Sequence, residues 1–276
     1  MTIGLQTSIT CITGYGLTFV LIAGAVDLSV GSCIAFTGVM CALLIQAGLS
    51  PSLAVVMTLL IGGLVGFLNA VMVTKMRMPP FIATLGALMA LRGLALAITE
   101  AKPVFIDVPN FKLLAQYRLF GVIPLPVIYM LALGLLASFL LRKTVIGRNV
   151  FAVGSNEEAA RLSGISVFKI QIFVYVFSGV MASVAGIILA SRVTSGQPAI
   201  ASGYEANAIA AAVIGGTSMR GGHGSIIGTI FGALILGVLM NGLNLMNISQ
   251  NWQMFATGIV VIFAVYIDKL RSMQGV

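Results

Sequence analysis

From Leu28 to Thr74 the chain carries no charged side chain at all. A helix needs about 20 mostly apolar residues to cross the hydrocarbon of a bilayer. This run holds two such lengths, which Pro51 divides into Val30–Leu49 and Ser52–Thr74. The whole sequence follows suit: 59% of its 276 residues are hydrophobic and 8% are charged, against roughly 25% charged in a soluble domain. Too few charges exist to clothe a water-exposed surface, so lipid is the solvent for most of the chain. The length allows one integral domain, residues 1–276, and leaves no room for an added soluble catalytic domain.

The remaining spans are read in the same way. Gly4–Val26 precedes the charge-free run. After the basic loop from Lys75 to Pro80 come Phe81–Ile98, with Arg92 inside it, then Val122–Leu141, Ile170–Ser191, Ser225–Met246 and Gln250–Ile267. Glu100–Gly121 is polar and reads as a loop. Ala206–Gly216 is too short to cross as a helix, since residues rise only about 1.5 Å each. It runs into the glycine-rich break Gly215–Ser225. The expectation is an all-α polytopic membrane protein with about eight transmembrane helices and one short broken helix. Small residues at helix-packing spacing, Gly62 and Gly66, Ala182 and Gly186, Gly228 and Gly232, predict close backbone approach between helices.

The net charge of +8 is not a nucleic-acid signal here, because the basic residues sit in short loops between apolar spans, where the positive-inside bias places them. Suppose that the 142–169 loop is cytoplasmic and the short segment crosses. The inside loops then hold Lys75, Arg77, Arg142, Lys143, Arg148, Arg161, Lys169, Arg220, Lys269 and Arg271, and the outside keeps Lys102, Lys112, Arg118 and Arg192. This orientation puts the C-terminus in the cytoplasm and the N-terminus outside, which points to a first helix absent from this sequence. Cys11, Cys33 and Cys41 lie in apolar stretches without a Cys-x-x-Cys pair, so they predict packing, with neither a disulfide nor a metal site. His223 is the sole histidine. The nearby Ser225 therefore has no second histidine as base, no catalytic residue is expected, and an intramembrane enzyme is rejected.

Two groups of residues carry the functional reading. In the 142–169 loop, Asn156, Glu157, Glu158, Ala159, Ala160 and Arg161, with Gly164 downstream, predict a short capped helix. Ser155 and Glu158 have capping-box spacing, the two glutamates suit the positive helix end, and Glu157 and Arg161 form an i,i+4 pair. Such a knob between two spans suits docking into another subunit. Within the spans, neutral polar side chains suit a path for hydroxylated solutes, and Asn69, Asn207, Asn241 and Asn244 are the candidates. Asp27 is expected either to cap the following helix or to join that path. Arg92 is expected to snorkel towards its nearer membrane surface, and Glu205 to favour the start of the short segment through the helix dipole.

The motif Glu157-Glu158-Ala159-Ala160 with Gly164 resembles the coupling segment of ATP-binding-cassette importer permeases. Further blocks, Ala25–Ser32, Pro79–Gly86, Ala208–Ala211 and Gly215–Ser218, are similar to the ribose-type branch, which includes importers of ribose, xylose, galactose and the autoinducer-2 signal. The resemblance covers nearly the whole chain. It implies a bacterial inner-membrane permease for a sugar or sugar-like solute, paired with a second permease, identical or related. It further implies two cytoplasmic ATPase subunits and a periplasmic solute-binding protein. Members of that family normally carry about ten spans, one more at the N-terminus than is present here. ATP and Mg²⁺ would be bound by the partner ATPase and no cofactor by this chain, which has no Gly-x-x-x-x-Gly-Lys-[Ser/Thr] loop. A secondary transporter of a small polar solute is the competing expectation; it would show internal repeats and a titratable intramembrane site.

Overall fold

The computed structural model describes residues 2–273 and is built almost wholly of helices. Six of them are long and apolar enough to cross a membrane: α1 (Thr2–Ile22, from Gly4), α3 (Pro51–Thr74), α4 (Pro80–Ile98), α6 (Leu125–Lys143), α9 (Val167–Val193) and α11 (Ile226–Leu245). Prolines at the first turns of α3, α4 and α6 stand where a missing N–H costs nothing and a fixed φ favours helix. The 17-residue α2 (Val30–Gln46) and the 11-residue α10 (Tyr204–Ile214) are shorter, and α12 (Gln250–Met273) closes the described chain.

The bundle is arranged around α1, whose Ile9, Ile12, Tyr15, Leu17 and Phe19 are fully buried. It packs against α6, α9, α10 and α11, while α9 also carries α2 and α3. The small-residue spacing does what it predicts. A Cβ on Gly62 would meet the Gly179 carbonyl, and one on Gly66 the Tyr175 carbonyl, so α3 lies backbone to backbone on α9. Gly186 meets α2 at Ile34 and Gly38 in the same manner, and Gly228 and Gly232 meet α10 at Gly215 and Ala211.

The two ends of the bundle differ. At one end lie the 75–79 loop, the end of α6, the start of α11 and the segment from Thr144 to Ser166. Lys75 there sits 5.6 Å over the Phe168 ring, and Arg142 donates to Ser225 Oγ at 3.1 Å. At the other end, about 40 Å away along the 27 residues of α9, Ser191 Oγ donates to the Phe111 carbonyl at 2.7 Å. The stretch read as a loop there contains more structure than its polarity indicates. It holds β1 (Val104–Phe105), which pairs antiparallel to β4 (Ser195–Gly196), α5 (Leu113–Gln116) and β2 (Arg118–Leu119), whose hairpin partner β3 (Ile123–Pro124) occupies the first residues of the expected Val122–Leu141 span, so that α6 starts only at Leu125.

Candidate functional site

The segment after α6 forms two helices, not one. Thr144 caps α7 (Val145–Ser155), its Oγ1 accepting from Gly147 N at 3.2 Å. An extended residue, Asn156, then turns the chain into α8 (Glu157–Leu162). The capping-box expectation is corrected in one respect: Ser155 is the last residue of α7, and the cap of α8 is Asn156, whose Oδ1 accepts from Ala159 N at 2.9 Å. Glu157 and Arg161 pair at 2.8 Å in full view of solvent, a contact worth about 0.3–0.5 kcal/mol. At the other end Gly164 takes φ +82°. Its N–H donates to the Arg161 carbonyl while Ile165 N–H donates to that of Ala160, both at 3.0 Å. That double bond pattern is a Schellman stop. Only Ala160 of α8 is buried. Asn156, Glu157, Glu158, Ala159 and Arg161 are exposed, and so is Leu162, 85% open to solvent. Leu162 is the residue that sequence reasoning missed; its signal was an apolar side chain at the end of an otherwise polar surface helix.

This knob is rooted on the core. At the end of α7, a Cβ on Gly154 would fall on the carbonyl oxygen of Ile22, the last residue of α1, and within 2.8 Å of Gly222 N. Gly222 N–H in turn donates to that Ile22 carbonyl at 2.9 Å. Three backbones, from α7, α1 and the 215–225 break, therefore meet without intervening side chains. The end of α7, from which α8 departs, is thus in backbone contact with the buried central helix and with the break that follows α10.

A second group of residues lies deeper, where the chain leaves helical form between α1 and α2. Residues 23–29 climb along α9. Gln171 Nε2 donates to the Ala23 carbonyl at 3.4 Å, Tyr175 Oη to that of Val26 at 3.2 Å and Ser178 Oγ to Asp27 Oδ2 at 3.0 Å. Asp27, 1% exposed, also accepts from Ser29 N at 3.0 Å and Ser29 Oγ at 2.6 Å, and Asn69 Nδ2 from α3 donates to Ser29 Oγ at 2.8 Å. These bonds join Asp27 and Asn69 in one closed polar chain at the start of α2. The other asparagines are elsewhere: Asn207 is half-buried on α10, and Asn241 and Asn244 sit near the far end of α11, where Asn244 Oδ1 accepts from Gln253 Nε2 at 2.9 Å.

The second non-helical stretch, 194–203, leads into α10, whose Ala208 to Val213 are buried. Glu205 in its first turn accepts from Gly203 N at 3.3 Å and packs against Gly31 at the start of α2. The starts of α2 and α10 thus adjoin inside the bundle. Arg92 does not extend to a membrane surface as expected. Its Nη1 donates to the carbonyls of Pro198 and Ile200, at 2.8 and 2.7 Å. Among the described residues no group of three His, Cys, Asp or Glu side chains is placed to hold a metal ion, and Cys11, Cys33 and Cys41 are buried free thiols.

A bundle with six helices apolar and long enough to cross a membrane, two shorter helices whose starts meet inside it and an exposed capped knob at one end is that of a multi-pass membrane protein. Residues 1–265 match the family described as branched-chain amino acid transport system / permease component, and the chain belongs to it. It is 43% identical over 271 residues to the ribose import permease protein of Escherichia coli strain K12, covering 97% of this chain and 84% of that protein. It is 40% identical over 269 residues to the ribose import permease protein of Bacillus subtilis strain 168, covering 97% and 83%. Its identity to the L-arabinose transport system permease protein of E. coli K12 is 40% over 270 residues, covering 98% and 82%. No solved structure matches the chain. The chain is accordingly a transport subunit and not an enzyme.

Proposed function

We propose that this chain is the membrane-spanning subunit of an ATP-driven importer that admits a sugar or a similar small polar solute. The single observation that carries this reading is α8: a doubly capped, almost fully exposed helix rooted through Gly154 on the buried α1. A helix of six residues is marginal by itself. Two caps that hold it rigid and solvent-facing serve a docking surface. The partner is a cytoplasmic ATPase subunit that receives Leu162 and the exposed face of Glu157, Glu158 and Arg161. Two such ATPases serve two permeases, and a periplasmic binding protein delivers the solute.

The α8 end faces the cytoplasm, because Lys75, Arg77, Arg142, Lys143, Arg148 and Lys169 gather there, and the C-terminus lies on that side. Eight helices cross the bacterial inner membrane, α2 and α12 among them, and α10 dips in from the break at 194–203. The solute passes beside the broken helices, since non-helical backbone at membrane depth is tolerated where protein buries it or water lines it. Asn207, Asn241 and Asn244 offer reversible hydrogen bonds to hydroxyls. Asp27 and Asn69 are closed off in the conformation described and join the path when α2 moves. Support for a sugar comes from the relatives, named for ribose import and L-arabinose transport. The docking face is tested with a cysteine at Leu162 in a chain stripped of its native cysteines. It is expected to cross-link to a co-expressed ATPase subunit, whereas a cysteine at Leu245, 77% exposed at the opposite end, is not. Equal cross-linking from both, or from neither, would overturn the assignment.

A further inference from the structure

Helix α4 is loosely held. It packs mainly on α2 and α3, Gly86 and Gly93 on it face open space, and only Ala83, Thr84 and Ala95 are buried. One polar side chain nevertheless ties it to the stretch preceding α10. Arg92 lies six residues before Ile98, the end of its helix, or about 9 Å along the axis. From that depth its Nη1 reaches the carbonyls of both Pro198 and Ile200.

Those carbonyls belong to backbone that has left regular structure. Before them, Ser195 and Gly196 are paired in the small ladder with β1; after them, the Ala201 carbonyl lies against Gly31, and Gly203 N–H is taken by Glu205. Arg92 thus supplies donors at the gap between the ladder and the first turn of α10, where membrane-depth backbone would otherwise lack partners. The guanidinium is therefore bound to the lead-in of α10 through two backbone carbonyls.

Resting on the permease reading above, we propose that Arg92 is a positioning residue for α10. It straps residues 197–203 to α4, so that α4 and the start of the broken helix move as one unit when the solute path opens. Ala199 and Ser202 are the exposed residues of the strapped stretch, and their accessibility reports its position.

The test uses the assembled complex with its ATPase and binding protein, a single cysteine at Ser202, and Arg92 changed to Lys, Gln or Met. Labelling by a membrane-impermeant maleimide is measured without nucleotide and with ATP trapped, alongside uptake and hydrolysis. With Arg92 present, the labelling rate at position 202 is expected to differ between the two states. With Gln or Met it should rise several-fold and lose that difference. Maximal uptake should fall about tenfold, with the concentration of loaded binding protein giving half-maximal uptake unchanged. Lys, which keeps donors for one carbonyl, should recover part of both. Should Arg92→Gln fail to reach the membrane, the double variant R92Q/E205Q removes both charges together and is expected to show the same loss of state dependence. Parental labelling and uptake in Gln and Met, or a Lys variant no better than Met, would overturn the strap. Labelling needs no sugar, so this outcome is separate from failure of the solute assignment, which would show as absent uptake in the parent chain.

Discussion

Removing both caps of α8 tests whether its rigidity is what couples the membrane subunit to ATP hydrolysis. Asn156→Ala deletes the oxygen that accepts from Ala159 N at 2.9 Å, and loss of such a cap costs about 1 kcal/mol. Gly164→Ala forces a Cβ onto a residue at φ +82°, which costs about 1–2 kcal/mol. Nothing lies within 4 Å of the new methyl group, so no clash is added. The two sites stand at opposite ends of α8 and share no hydrogen bond, so the costs add to about 2–3 kcal/mol. At 1.4 kcal/mol per tenfold, the open form of α8 gains about 30- to 150-fold in population. Hydrogen exchange should show this directly, with the Ala159 and Ile165 amides exchanging faster by that factor. Since α8 buries only Ala160, the double variant should still insert and assemble. Its hydrolysis stimulated by loaded binding protein, and its uptake, should fall several-fold. Faster exchange with unchanged stimulation would refute a coupling role for α8, and unchanged exchange would refute the capping argument itself.

Three further outcomes are expected. Gly154→Ala should lower thermal stability in detergent by an amount equivalent to about 1–3 kcal/mol, the usual cost of overpacking, because its Cβ meets the Ile22 carbonyl, which no rotamer change can move; a parental melting temperature would show that the three backbones part easily. A cysteine at Asn156 should react with an impermeant thiol reagent only in inside-out vesicles and one at Asn110 only from outside, the native cysteines having been replaced; labelling of both from one side would contradict the placement of the two ends. Tryptophan at Ala210 or Ala211, 1% and 0% exposed, should abolish uptake, whereas the same change at the partly exposed Val260 or Val261 should be tolerated at matched expression; equal tolerance would mean that α10 is peripheral to transport.

Most helices were legible because apolar run length is a direct readout of membrane thickness. The reading Val30–Leu49 became α2 at Val30–Gln46, Ser52–Thr74 became α3 at Pro51–Thr74, and Ala206–Gly216 became α10 at Tyr204–Ile214. Glycine spacing on α3 and α11 likewise announced where backbones meet, since only small residues permit it. Three features were not legible, each for a physical reason. Helix α7 has an apolar stripe on a short polar connection, and its contacts with α1 and the 215–225 break come from far along the chain. The choice of Asn156 over Ser155 as cap depends on where α7 stops, and both residue types cap well. Arg92 resembled a charge seeking water because its partners are backbone carbonyls 106 and 108 residues away, and an acceptor that every residue possesses leaves no trace in sequence.

The most direct measurement is solute accumulation in proteoliposomes that contain this chain, its ATPase subunit and its binding protein, supplied with labelled ribose or L-arabinose, the sugars of its named relatives, or with D-allose. At least one sugar should accumulate against its gradient, only with hydrolysable ATP and loaded binding protein, and Glu158→Lys should reduce that accumulation while leaving the complex assembled. Accumulation driven by an imposed proton or sodium gradient without ATP, or by no condition for any of the three sugars, would contradict an ATP-driven sugar importer.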